Sequence, residues 1–473
     1  SMNRLIRTAI NSQNNNALFT LLMSTANDNV SSLGKKLLSA NDYRFPRIDE
    51  YICPCTFAYR NGVLYVDVKP DPNNPNSSHN IHYVAYSDYH NFEPNRFAHV
   101  YIDEVIPDYL FDKNYFANIE KWYPKEPTGD PEIDQAENPV IKLKKDFPAP
   151  AFDEFMDVQK YDSSVLFMFW VMTGRIISGI PLNVLDKWQM VMEIIGGQGT
   201  GKTTFSDMVK SYYNRIDVTQ ISPNSEIQFG LSNIPGSRLW MIQESGRKMN
   251  MGDAEFKTIA AGEETTISRK YKDPASLIYD GNGLITGNEN MKLSDIGGSR
   301  RRMTFCMPEH PTSAQKNGDV TIRMNKERAS IQIRCIIAYN MAVRMYGTRD
   351  IRDKLSPKMK EYHNLMRAEN NPLFEFVEFS GQVDVDPTYT CPLETFVDAY
   401  HMYLTSKRYD KSTNKWCNST SQFTLNEFDI RMVRHETISR GHVFKLKGCK
   451  ISQPTYNPAN PNQIQQDIAV ANT

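Results

Sequence analysis

Apolar residues along the chain change their spacing several times, and each change marks a different kind of element. Over residues 1–45, Leu5, Ile6, Ile10, Leu18, Leu21 and Leu22 recur at helical intervals broken by Asn14-Asn15-Asn16, which predicts short helices without chemistry. From residue 46 the period moves toward two. Gly62–Val68 and Ile81–Tyr86 alternate as strands of a small sheet do, joined by the turn formers Pro70-Asp71-Pro72-Asn73-Asn74-Pro75-Asn76. Residues 123–150 are punctuated by proline and predict a linker or surface arm. Phe152–Ile180 returns to a helical pattern, and its apolar run Val165–Met172 is too short for a bilayer and predicts a buried helix.

The middle of the chain carries short apolar runs bounded by turn residues, the pattern of strands buried on both faces. They are Met190–Ile195, Arg238–Glu244, Gly283–Asn288 and a fourth opening at Gly298-Ser299-Arg300-Arg301-Arg302-Met303. Residues 320–380 predict mainly helices, a lid packed on this core. Leu393–Leu404 and Phe423–Arg434 predict two further helices, and Thr437–Ile451 a two-stranded hairpin with Arg440-Gly441-His442 at its tip. The Asn-, Pro- and Gln-rich tail after Gln453 predicts disorder. The organisation expected is therefore a helical segment (1–45), a small α+β domain with its linker (46–150), a central core with its preceding helices (151–310), a helical lid (311–385), a C-terminal module (386–452) and a tail (453–473).

Composition narrows the class. A chain of 473 residues with 40% hydrophobic and 23% charged content is an ordinary soluble protein of several domains. Its formal net charge of −1 means that any nucleic-acid contact must come from local basic patches. The 7 cysteines are odd in number and lack paired C-x-x-C spacing, which argues against a disulfide framework or a zinc site and predicts a reducing, cytoplasmic compartment, that of a host cell for a virus or phage protein. No window reaches the ~18 apolar residues of a membrane span, so no membrane partner is expected. Ser1-Met2 reads as an expression remnant before either a start methionine or an internal boundary of a protein longer at its N-terminus. His79, His82, His90 and His99 lack acidic or cysteine company and are expected to be ordinary residues, not metal ligands.

The chemistry concentrates in the middle. Gly196-Gly197-Gln198-Gly199-Thr200-Gly201-Lys202-Thr203 fits G-x-x-x-x-G-K-[ST] between a predicted strand and a helix beginning near Thr204. Glycines let backbone N–H groups turn inward around phosphates, Lys202 reaches the outer phosphates and the Thr203 hydroxyl suits Mg²⁺. ATP and Mg²⁺ are the expected cofactors. The strand ending Gln243-Glu244 supplies a carboxylate; Glu244 is expected to act as catalytic base and to help hold Mg²⁺. Asn288 ends the third strand with an amide that can touch both γ-phosphate and attacking water. Arg301 and Arg302, just before a strand, suit a finger reaching a neighbouring subunit's γ-phosphate. Between these, Gly262 ends a helix and a hairpin follows whose turn carries Arg269, Lys270, Tyr271 and Lys272, basic residues beside an aromatic that can grip a phosphate backbone and stack on a base.

Taken in this order, the P-loop, Glu244, the Ala261-Gly262-Glu263-Glu264 segment with its basic hairpin, Thr286-Gly287-Asn288 and the arginine cluster resemble superfamily 3 helicases, notably the poxvirus-type and phage or plasmid primase-helicases. The likeness departs at Glu263, where a second glycine is usual, and at Gln243, where an acid is frequent. It implies an α/β fold with a P-loop AAA+-type core, an N-terminal α+β domain and a C-terminal winged-helix-like domain. It implies Asn288 as sensor, Arg302 or Arg301 as finger, and Lys270 or Lys272 as pore-loop contact to single-stranded DNA, RNA not being excluded. A hexameric ring, a role in viral, phage or mobile-element replication and a primase or polymerase partner are further expectations. Asn61-Gly62-Val63-Leu64 resembles a strand of the domain preceding the core in that family. Arg431, Arg434, Lys445, Lys447 and Lys450 give the C-terminal module a basic character suited to phosphates, with protein docking as the alternative. The rival functions are an initiator or loader ATPase without processive unwinding, and the helicase part of a larger primase-polymerase.

Overall fold

The structure is a computed structural model describing residues 52–67, 80–86, 97–111, 119–125, 128, 131–182, 184–221, 234, 237–245, 253–269, 272–289, 291, 300–312, 319–347, 350–409, 416, 421, 424–426, 428–435 and 443–452. The helices expected over 1–45 and the disordered tail lie outside these residues. The chain divides into two compact units, 1–53 with 93–97, and the remainder; nearly all described residues belong to the second.

The period-two segment forms a sheet of four strands, ordered β3-β2-β1-β4, in which β1–β2 and β2–β3 are antiparallel: β1 (Ile52–Ala58), β2 (Gly62–Asp67), β3 (Asn80–Ala85) and β4 (Phe97–Tyr101). Phe57, Leu64 and Val66 are buried in it, and so are the intervening Thr56, Val63 and Tyr65, so β1 and β2 are covered on both faces. Residues 123–150 are not the expected arm. They hold helices α1 (Pro131–Ala136) and α2 (Pro139–Asp146), and α3 begins at Pro150 and runs to Asp157. Each of these prolines opens a helix, where its fixed φ is preorganised and its missing N–H is not needed. The Asn138 side chain caps α2 by accepting from the Val140 N–H.

Helix α4 (Ser163–Ile177), capped by Asp162, is buried from Val165 to Ile177, as its apolar run predicts. It packs against α8 (Arg328–Tyr346), and the two approach so closely that a Cβ at Gly174 would stand 1.9 Å from the Cys335 carbonyl oxygen. Helix α8 is itself buried over most of its length, so this part of the expected lid belongs to the core. Arg175 of α4 pairs with Asp186 and donates to the Met190 carbonyl at 2.8 Å, fixing where the next strand begins.

That strand, β5 (Val191–Gly196), lies in a five-stranded sheet with β6 (Val218–Ile221), β7 (Leu239–Ser245), β10 (Asn282–Gly287) and β11 (Arg302–Met307). The order is β11-β5-β10-β7-β6, and every neighbouring pair is parallel. Helix α5 (Lys202–Lys210) follows β5, and α6 (Asp253–Ala261) precedes a separate hairpin, β8 (Glu264–Arg269) and β9 (Lys272–Ile278).

After α7 (Val320–Asn325) and α8 come α9 (Pro357–Asn370), α10 (Pro372–Phe379), β12 (Val383–Pro392), α11 (Leu393–Ser406), β13 (Arg431–His435) and β14 (Val443–Ile451). The last three strands form a sheet ordered β12-β14-β13. Its core draws Phe376 and Val377 from α10, Phe396 and Leu404 from α11, and Leu446 and Cys449 from β14. The boundary expected at 386 therefore falls inside β12. Arg431–Arg434, expected to end a helix, are strand, because β14 offers them a partner edge that sequence periodicity does not contain.

Candidate active site

The Gly196–Thr203 loop is shaped by residues both inside and outside its motif. Strand β5 ends at Gly196, and Gly201, at φ 104°, turns the chain into α5. Only glycine adopts that conformation without strain, and a Cβ at this position would also stand 2.6 Å from the Phe155 ring of α3. The loop places Gly197, Gln198 and Gly199 at the surface, with Thr200 buried and its hydroxyl donating to the Gly197 carbonyl at 3.0 Å. Thr203 and Thr204 lie in the first turn of the nine-residue helix α5, whose unpaired N–H groups and dipole favour an anion.

Lys202 is folded back onto this loop. Its ammonium donates to the carbonyls of Gly196 at 2.7 Å and Gly197 at 2.6 Å, and partial burial lowers its pKa. These carbonyls hold the cation where an anion would otherwise meet it. A phosphate would supply the opposite charge that the neutral carbonyls lack.

Gln159, buried just after α3, clamps the loop from outside its motif. Its Nε2 donates to the carbonyls of Thr200 and Glu309, both at 3.2 Å, and its Oε1 accepts the Glu309 N–H at 3.3 Å. The His310 imidazole lies over Gly197 and Gly199. No motif in the sequence marks Gln159 or His310, because both meet the loop only through the fold.

Strand register brings the other predicted groups level with the loop. Ile195 pairs with Gly287, and Gly287 with Ser245, so the carboxyl ends of β5, β10 and β7 lie side by side. Glu244 stands at the end of β7, exposed and at φ 58°. A left-handed conformation in a residue with a side chain costs of order 1–3 kcal/mol, and such residues concentrate at functional sites. Asn288 follows Gly287 and is exposed. Gln243, in the place of the frequent acid, accepts from Gln220 of β6 at 2.8 Å and is held sideways. Among the described residues no group of three or more His, Cys, Asp or Glu could hold a metal. A magnesium ion would therefore depend on Thr203, Glu244, water and the phosphates, the usual economy for this ion.

The arginine cluster divides in three. Arg302 is 3% exposed and pairs with Glu193 of β5, itself fully buried, at 3.0 Å; it also donates to the Met291 carbonyl, and Thr304 donates to Glu193 at 2.7 Å. Arg302 is thus a buried structural cation and not the surface finger expected of it. Its guanidinium is committed inside the chain's own sheet. Arg301 is half-buried beside Glu263 and lines a cleft with Lys187, Trp188, Gln189, Arg300 and Asp350. Arg300 is exposed, 3.7 Å from Asp350. The missed residue here is Glu193. A carboxylate inside the apolar run Val191–Ile195 was the available sign that a buried cation must come from elsewhere.

The basic hairpin forms as expected. Glu264 pairs with Ile278 and Arg269 with Lys272, with an irregularity that leaves Pro274, which lacks an N–H, out of the ladder. Lys270 and Tyr271, at its tip, lie outside the described residues. Among the described residues no helix is long and apolar enough to cross a membrane.

A family described as one of unknown function (DUF5906) matches residues 194–302, the stretch from the P-loop strand to Arg302. Among solved structures, an A-form apo structure of the NrS-1 C-terminal region is 13% identical, covers 83% of this chain and 96% of its own, and has a TM-score of 0.35. A second apo structure of the NrS-1 C-terminal region, residues 305–718, is 13% identical, covers 84% and 96%, and has a TM-score of 0.36.

Proposed function

We propose that the chain is an ATP-driven nucleic-acid translocase of the superfamily 3 helicase type, with an AAA+-type core that works as a ring. The observation that carries this is the levelling of Gly196, Glu244 and Asn288 at one edge of the parallel sheet, around the N-terminus of α5. In open α/β sheets, ligands bind outside the carboxyl ends of the strands.

Loop amides and the first turn of α5 would hold the outer phosphates of ATP, and Lys202 would exchange its two carbonyls for phosphate oxygens. Thr203 and Glu244 would hold Mg²⁺, which when bound neutralises phosphate charge. Glu244 would take the proton of the attacking water, and Asn288 would orient that water against the γ-phosphate. Arg301 precedes the amino end of β11, and Val191 donates to its carbonyl. That is about 16 Å along β5 from the loop, from five residue steps of strand. So remote an arginine serves a neighbour's phosphate better than its own, which favours a ring, with Arg301 or Arg300 in the role. The hairpin carrying Lys270, Tyr271 and Lys272 would transmit the cycle to single-stranded DNA. The order of these motifs also supports a part in viral, phage or mobile-element replication beside a primase or polymerase.

A strand-displacement assay tests the proposal. The wild-type chain is expected to separate a tailed duplex with ATP, and Lys202→Ala to do neither that nor hydrolyse ATP. Hydrolysis by the wild type without displacement, at a rate that single-stranded DNA leaves unchanged, would reject it.

A further inference from the structure

The register of the C-terminal sheet separates two faces. On one, Met432, Leu446 and Cys391 align across β13, β14 and β12 and pack into the apolar core. On the other, the rows are Arg431–Lys447–Thr390 and Val433–Lys445–Pro392, with Lys450 opposite Asp384 at the far end. The central strand therefore presents three lysines outward, Lys445, Lys447 and Lys450, and no acid. Lys450 is engaged: it lies 3.4 Å from Asp384 and 4.3 Å from the centre of the Tyr389 ring. Arg431 and Lys447 are exposed and Lys445 half-buried, and among the described residues no carboxylate pairs with any of the three.

Arg431 and Lys447 face each other directly across the antiparallel pair, where side chains begin about 5 Å apart and like charges repel. An ordinary solvated sheet face relieves such a pair by alternating sign. Here a third cation stands two residues away on the same strand, in a chain whose overall charge is −1. The local excess is a property of this face and not of the composition.

We infer that this face is a second nucleic-acid site, binding the phosphate backbone of a duplex without reading its sequence. Polyanionic phosphate relieves the repulsion that the fold leaves in place. Duplex is favoured over single strand because a sheet that binds unpaired bases needs open aromatic rings to stack them. Among the described side chains, the outward residues beside the cations are Thr390, Pro392 and Val433, and the ring of Tyr389 is covered by Lys450. Contacts confined to phosphate give position and affinity but no base discrimination. This site does not depend on the ATPase reading, and its test omits nucleotide.

The experiment is duplex binding by the full chain, followed by fluorescence anisotropy at several salt concentrations, for wild type and Arg431→Gln/Lys447→Gln. Affinity is expected to fall roughly 10- to 100-fold near 0.1 M salt, and the slope of log K against log salt to shrink by about 2, one counterion per lost contact. Arg431→Lys should keep most of the binding. Lys447→Gln alone should leave the melting temperature unchanged or raise it, since it removes a repelling partner. Unaltered duplex affinity and slope in the double variant would overturn the site. So would a loss confined to single-stranded DNA, or a lowered melting temperature with binding intact, which would make these cations parts of the fold.

Discussion

At the carboxyl edge of the parallel sheet, Lys202 is partly exposed on two loop carbonyls, and Glu244 and Asn288 are exposed. Inside the same sheet, Glu193 and Arg302 are sealed against each other. The chemistry is similar, a carboxylate and a cation in each place, and the difference is position along a strand. A group at a strand tip keeps water and can exchange it for a ligand. A group within the strand has already given up water and must keep its partner, because an uncompensated buried charge is far more costly than an exposed one. Arg301 and Arg302 make the same point one residue apart. Arg302 is the first residue of the buried strand β11, whereas Arg301, in the turn before it, lines the rim of a cleft.

The largest test of this contrast is at Glu244. Glu244→Gln should lower ATP hydrolysis by about 10²–10⁴-fold, the range for losing a general base, while ATP affinity and melting temperature stay near wild type. A lost affinity instead would assign Glu244 to binding.

The buried pair should respond in the opposite way. Arg302→Ala should lower stability by about 3–5 kcal/mol, read by denaturant unfolding, whereas Glu193→Met/Arg302→Met should recover most of that loss. Arg301→Ala should fold nearly as well as wild type and lose hydrolysis in the assembled protein. Its activity should return in part when mixed with Lys202→Ala subunits, which contribute an intact Arg301. Equal stability losses at 301 and 302 would erase the distinction between them.

A smaller effect comes from His363 of α9. Burial, with Arg352, Arg302 and Arg367 nearby, pushes its pKa down to about 4, and among the described residues its Nε2 has no hydrogen-bond partner. The folded protein holds the imidazole neutral, while the unfolded chain takes up a proton below its ordinary value near 6.5. This contribution is complete above that value and is lost as pH falls toward 4. Stability should drop by roughly 2 kcal/mol between pH 7 and pH 5. His363→Gln should flatten that part of the profile; an unchanged slope would trace it to other groups.

Much of the site was legible because it is local. The P-loop, its strand and its helix occupy one continuous stretch, so backbone freedom at the glycines and the apolar run before them suffice to specify strand, loop and helix. The β8–β9 hairpin is local in the same sense. Residues 123–150 misled because proline at the first position of a helix and proline in an arm look alike until the following turn finds something to pack against; here Val140 and Leu143 are buried.

The sequence by itself determined that a glycine loop joins a strand to a helix, that Glu244 and Asn288 stand at strand tips, and that Glu193 sits in an apolar run. Tertiary structure decided who faces whom. Glu193 meets Arg302 across 109 positions of chain, and Gln159 meets Glu309 across 150. The order of β5, β10 and β7 alone brings their three ends together. Dihedral preferences and hydrophobic period act over a few residues, so they specify elements. Burial and charge pairing act across whatever the chain brings near, so they specify which arginine is structural and which remains free to act.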